Sequence, residues 1–149
     1  MRVKIAEFEK KFMPHAFGLF LSRFVDTEKQ DNFMNEALPY IEQLIQSAGQ
    51  DKWLLGTDEL TLLDTMAGPI MDFVYVQIPA SANSECAARL NIQQNAPNWC
   101  AYMERLRAHP KISTTCMSMQ AAEKYATRAR SWQEGVKCQL AIEVLYGLF

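Results

Sequence analysis

Trp53-Leu54-Leu55-Gly56-Thr57-Asp58-Glu59-Leu60-Thr61-Leu62-Leu63-Asp64 leads without a break into Thr65-Met66-Ala67-Gly68-Pro69-Ile70-Met71-Asp72-Phe73-Val74-Tyr75-Val76-Gln77-Ile78. Thr61-x-x-Asp64 has the spacing of a capping box, with Asp in place of the usual Glu or Gln. In that pattern the Thr61 side chain accepts from the Asp64 amide, and Asp64 reaches back to the Thr61 amide. The residues after the cap, Leu62 to about Ile78, are apolar nearly all round, which is the pattern of a buried central helix. Phe73-Val-Tyr-Val-Gln-Ile78 resembles a strand taken alone, but it is short and has no evident pairing partner, so helix is expected through it.

Working toward the N-terminus, Ile5, Phe8 and Phe12 fall at helical spacing, and Phe17, Phe20, Leu21 and Phe24 continue it. Pro14 lies between the two sets and should kink the helix, here expected at about 3–25. The large aromatics Phe8, Phe12, Phe17, Phe20 and Phe24 read as core. Met34, Ala37, Leu38, Ile41 and Leu44 or Ile45 mark a second helix, bent at Pro39 and stopped near Gly49. Toward the C-terminus, residues 79–96 read as a polar connector with a helical turn at 87–92. A helix opens around Pro97, buries Trp99, Met103 and Leu106, and ends at His109-Pro110. A last helical region is expected over 112–145, broken near 129–133. Its tail carries Trp132, Val136, Leu140 and Val144 at steps of four.

The 149 residues suit one domain, 1–149, with a core at 1–130 and a tail at 131–149. Hydrophobic residues make up 49% and charged residues 21%, the balance of a folded chain. The net charge of −2 leaves no basic excess to hold nucleic acid. There is no apolar run long enough to span a membrane and no secretory leader pattern. Cys86, Cys100, Cys116 and Cys138 form no C-x-x-C pair, so free thiols in a reducing, cytoplasmic setting are expected. Two histidines and six glycines argue against a His-rich metal centre and a Gly-rich phosphate loop.

Two stretches resemble the C-terminal helical domain of glutathione transferases. Trp53-Leu-Leu-Gly56-Thr-Asp-Glu-Leu60-Thr61-Leu-Leu-Asp64 is similar to that family's "fl-G-d-x-l-T-x-a-D" segment. Pro97-Asn-Trp99-Cys-Ala-Tyr102-Met-Glu-Arg105-Leu106-Arg-Ala-His-Pro110 is similar to its "P-x-l-x-x-W-x-x-r-l-x-x-x-P" helix, with the aromatic placed earlier here. The resemblance covers roughly residues 5–128. It leans to the omega-like branch through Lys11-Phe-Met-Pro14-His-Ala-Phe-Gly18-Leu-Phe20 and the closing Leu145-Tyr146-Gly147-Leu148. It departs from that branch at Gly68-Pro69, where Trp-Pro is common.

The resemblance implies an all-α bundle of five to seven helices around the helix at about 62–78. It also implies that the first helix and the core helix wall a hydrophobic substrate pocket, with His15, Phe12 and Phe73 as the candidate lining. Thr61 and Asp64 are expected to be structural. The family's thioredoxin-like N-terminal domain, with its catalytic residue and its glutathione contacts, has no counterpart in this sequence. No catalytic, cofactor-binding or metal-binding residue is therefore assigned, and glutathione belongs to the full-length family context. The expected partners are the missing thioredoxin-like domain, a second copy in a homodimer, or another protein. The last applies if the chain is a stand-alone interaction module, as in translation-factor or aminoacyl-tRNA synthetase assemblies.

Overall fold

The computed structural model describes residues 2–80, 84–128 and 131. Every regular element among them is helical. In chain order these are α1 (Arg2–Lys11), α2 (Met13–Leu21), α3 (Thr27–Asn32), a π-helical turn (Phe33–Ala37), α4 (Leu38–Ala48), α5 (Leu62–Ala80), α6 (Ser84–Leu90), α7 (Ile92–Asn95) and α8 (Pro97–Ala108). A further helix, α9, covers 119–128.

The first helix breaks at Phe12, two residues before Pro14, because the proline ring crowds the carbonyl four residues back and offers it no N–H. Backbone bonds Phe12→Phe8 (2.9 Å) and Ala16→Phe12 (3.0 Å) still carry the helical path across the break. The buried positions are therefore Phe8, Phe12, Ala16 and Leu19, a single stripe at steps of four, four and three. Phe17 does not join them and is 47% exposed, which corrects its expected place in the core. The helix ends before 25. Arg23 and Phe24 both take left-handed backbone, and the Phe24 amide bonds back to Leu19 O at 2.8 Å. That reversal turns the Phe24 ring into the core, where Gln30 Nε2 donates to its carbonyl at 2.9 Å.

The polar run 26–31 starts the second rod. Asp26 caps α3, its carboxylate accepting from the Lys29 amide at 3.2 Å. The bend comes just ahead of Pro39, where the Leu38 amide bonds to Phe33 O, five residues back. A widened π turn absorbs the site where the proline has no donor. α4 stops at Gly49, whose φ of +105° suits glycine and strains other residues.

α5 is helical throughout, including the strand-like 73–78, and runs to Ala80. Its start is fixed by Asp64, which is fully buried. Asp64 Oδ2 accepts from the Thr61 amide at 2.9 Å and from the Thr61 hydroxyl. The hydroxyl thus donates to the carboxylate where a reciprocal box would have it accept. Asp64 Oδ1 accepts from the Leu54 amide (2.9 Å) and the Tyr102 hydroxyl (2.7 Å). One carboxylate therefore ties the 53–61 loop, the α5 N-terminus and α8 together. Burial, then the Asp64 charge and bond, push the Tyr102 phenol well above its ordinary range.

α8 packs tightly on α5. A Cβ at Gly68 would lie 3.0 Å from Leu106 Cδ2, closer than side chains ordinarily pack, so Leu106 would have to shift to admit one. Trp99, Tyr102, Met103 and Leu106 are all buried. The N-terminus of α8 is closed by Glu42 of α4. Its Oε1 accepts from the Asn98 amide (3.0 Å) and side chain (2.6 Å), and its Oε2 from the Trp99 amide (2.9 Å). The expected connector at 79–96 is largely helical instead. Its residues Cys86, Leu90 and Ile92 are buried, so it contributes to the core. After α8, residues 111–116 are turns, not helix. The tail stripe at Trp132, Val136, Leu140 and Val144 lies outside the described residues, as does Cys138.

Candidate functional site: an uncharged groove between two helices

Among the described residues, the core arrangement leaves one apolar face of α2 and α5 exposed. Burying Ala16 and Leu19 turns the neighbouring positions Phe17 and Leu21 outward, with Leu21 76% exposed. On α5, Leu62 and Met66 are exposed one turn apart, and Pro69, Ile70 and Phe73 continue that side of the helix. Between these ridges runs a groove of about 280 Å³ lined by Ala16, Phe17, Phe20, Pro69, Ile70, Phe73 and Val74. Phe20 and Phe73 meet edge to face, with ring centroids 5.2 Å apart. Tyr125 of α9 closes one rim, stacked on Phe20 (6.2 Å) and edge-on to Phe73 (5.7 Å).

The face carries no charge. α2 contains no Asp, Glu, Lys or Arg. The two acids of α5, Asp64 and Asp72, are both buried and bonded inward. Asp72 Oδ1 takes Arg107 of α8, and its Oδ2 accepts from the Met117 amide at 2.9 Å. Arg107 also donates to Met117 O at 2.7 Å, so this pair fastens the segment that leads into α9. Gln77 Nε2 adds a contact to Ala122 O at 3.5 Å, and Ala122 is fully buried. Two buried acids thus hold the framework while the outer face stays apolar.

Of the three candidate lining residues, Phe73 is in the groove and the other two are not. Phe12 is fully buried, stacked on Phe8 (5.0 Å) and edge-on to Phe33 (5.8 Å) and Trp99 (6.2 Å). It belongs to the aromatic core because the Phe8–Phe12–Ala16–Leu19 stripe faces inward. His15 is half-buried on α2 and lines no part of the groove. Thr61 and Asp64 sit at the α5 start in the structural role described above. Phe20, Pro69, Ile70 and Tyr125 were not singled out as lining. Tyr125 was beyond reach because its place depends on the long-range Asp72–Arg107–Met117 fastening.

The chemistry available here is apolar contact. Cys100 is buried, and burial, with Glu42 and Glu104 adding, pushes its thiol up to about 11. Burial and the Asp72 charge likewise raise the Cys116 thiol. Neither is set up as a thiolate nucleophile. Among the described residues no group of three or more His, Cys, Asp and Glu comes together to hold a metal, and no helix is long and apolar enough to cross a membrane. Compared with family models, curated proteins and solved structures, the chain finds no significant match.

Proposed function

We propose that this chain is the helical half of a glutathione-transferase-like protein of omega-like type. In this reading its α2–α5 face supplies a hydrophobic substrate wall and a dimer or domain interface, and the chain alone performs no thiol transfer. The observation that carries the proposal is the uncharged groove with Phe17, Leu21, Leu62 and Met66 exposed around it. Isolated apolar residues on a surface are ordinary, but a contiguous face without a charge is the composition of a surface meant to be covered. The order of elements supports the same reading. A first helix kinked near Pro14 and a central helix begun by a Thr-x-x-Asp cap are compatible with it. The catalytic residue and the glutathione contacts of such proteins lie in a thioredoxin-like domain, and no residue here is assigned to either role.

Two measurements test this. An environment-sensitive aromatic dye should bind the chain and lose its signal in Phe17→Glu, which adds a charge at the groove wall. The chain should also pass through glutathione-agarose unretained. Retention with specific elution by free glutathione would overturn the assignment of chemistry to another domain. Absence of dye binding would overturn the groove as a ligand wall. Purification of the native protein with a stoichiometric translation-complex partner would favour the interaction-module alternative instead.

A further inference from the structure

We propose that a second pocket, sharing no residue with the α2–α5 groove, binds the carboxylate of a small organic acid on Arg105. The pocket holds about 460 Å³ between the end of α4, the turn that follows it and the first turns of α8, the size of a small-molecule site. The guanidinium of Arg105 is fixed before any ligand arrives. It lies over the rings of Trp53 (4.9 Å to the centroid) and Tyr102 (5.6 Å), and its Nη2 donates to Lys52 O. Its charge nonetheless lacks a bonded counter-charge. Arg89 is bonded to Asp31 and Arg107 to Asp72, whereas Arg105 Nη1 has only Asp51 Oδ1 at 3.8 Å among the described residues, beyond hydrogen-bond reach. The Asp51 side chain is 97% exposed, so water screens even that attraction, while the Arg105 side chain is 30% exposed. Arg105 Nε is buried with no acceptor among the described residues. A positioned, partly buried guanidinium with unfilled donors is suited to a carboxylate. The surroundings favour one negative charge over a phosphate dianion. Among the described residues no Lys lines the pocket, and Lys52 beside it is paired with Asp58. The amides of Asn98 and Trp99 at the head of α8, which could hold an anion, already go to Glu42. Ile45, Ala101 and the Tyr102 ring offer the body of the ligand an apolar wall.

The test is titration of the isotope-labelled full chain with benzoate, followed by two-dimensional amide NMR. Saturable shifts are expected at Gln46, Gly49, Gln50 and Ala101, which line the pocket, with a Kd of roughly 0.1–10 mM, the range of a fragment with one charged contact. Benzamide, the same shape without the charge, and inorganic phosphate should each bind about fivefold more weakly or worse. Asp51→Asn removes the competing acid and should tighten benzoate binding about threefold. Asn tolerates the φ of +27° at this exposed position, so the fold is kept. Ala101→Glu adds a negative charge to an exposed part of the wall without touching the bonds of Arg105, and should weaken binding about tenfold. Arg105→Gln should abolish binding, with far-UV circular dichroism and melting as the check on its fold. The absence of any saturable shift up to about 50 mM benzoate overturns the proposal. So do shifts clustered away from the pocket, benzamide or phosphate binding as tightly as benzoate, weaker binding in Asp51→Asn, or unchanged binding in Ala101→Glu. Phe17→Glu should leave the titration unchanged, so this result and the dye-binding test of the groove stand or fall separately.

Discussion

Replacing Asp64 with Ala removes the acceptor for four donors at once: the Leu54 amide, the Thr61 amide, the Thr61 hydroxyl and the Tyr102 hydroxyl. A hydrogen bond to a charged group contributes ~1.5–3 kcal/mol net, and a buried donor left without a partner costs ~1–3 kcal/mol. The four do not add, because Thr61 is only half-buried and water replaces its partner. Leu54 and Tyr102 are 2% and 1% exposed, so their donors stay stranded. The expected loss is therefore ~3–5 kcal/mol, a large fraction of the stability of an ordinary domain. Tyr102→Phe removes one of the four bonds and leaves Asp64 the other three, so it should cost ~1–2 kcal/mol. The assay is urea unfolding followed by tryptophan fluorescence and circular dichroism, with unchanged m-values as the check that the unfolded state is the same. In the Asp64→Ala background, Tyr102→Phe should cost about 1 kcal/mol less than in the parent, since the acceptor is already gone. A loss below ~1 kcal/mol for Asp64→Ala, or equal costs of Tyr102→Phe in both backgrounds, would refute the hub.

Three further outcomes follow from the same structure. Gly68→Ala gains helix propensity of ~1 kcal/mol but drives a methyl to 3.0 Å from the buried Leu106, so a net loss of ~1 kcal/mol is expected in thermal melts. Arg107→Ala leaves Asp72, only 3% exposed, without its counter-charge; ~3 kcal/mol should be lost, together with hydrogen-exchange protection at Met117. Stability should also fall in alkali. Burial and nearby acids hold Cys100 at about 11 and Tyr40 at about 12, and raise Tyr102 further, so the unfolded chain releases these protons first. The stabilising contribution is full below the ordinary thiol and phenol values and is lost as pH climbs through them. Urea midpoints should hold to about pH 8 and drop by pH 10.5, the drop being shallower in Cys100→Ser; a flat profile would contradict it.

How much of this was legible beforehand depends on the range of the interaction. The Thr61–Asp64 cap, the stop at Gly49 and the inward set Trp99, Met103 and Leu106 are written in neighbouring residues. The two further donors on Asp64 are not, because Leu54 and Tyr102 reach it only after the chain has folded back. The same holds for Glu42 at the head of α8 and for Asp72 with Arg107. Phe12 and Phe17 show a different limit. Both are large aromatics at helical spacing, and side-chain size argued for placing both in the core. The stripe that is buried runs through Ala16 and Leu19, and the larger Phe17 is left outside. The periodicity held both stripes, and only packing against α5 and α8 chose between them. Pro39 was readable as a bend, whereas the cap that Asp26 makes on α3 was not read from the polar run around it. The π turn joining them was not readable either, since it arises from how the missing proline donor is accommodated.

The central claim is that the uncharged α2–α5 face is covered in the working protein. Hydroxyl-radical footprinting with mass spectrometry tests it through two methionines of similar exposure. Met66 lies on the face at 45%, and Met119, at 44%, is on α9 and lines no part of the groove, whereas Met71 and Met103 are fully buried. In the dilute isolated chain, Met66 and Met119 should oxidise at comparable rates. In protein purified intact from its source, Met66 should be protected several-fold while Met119 is unchanged. Equal oxidation of Met66 and Met119 in both preparations would contradict the account.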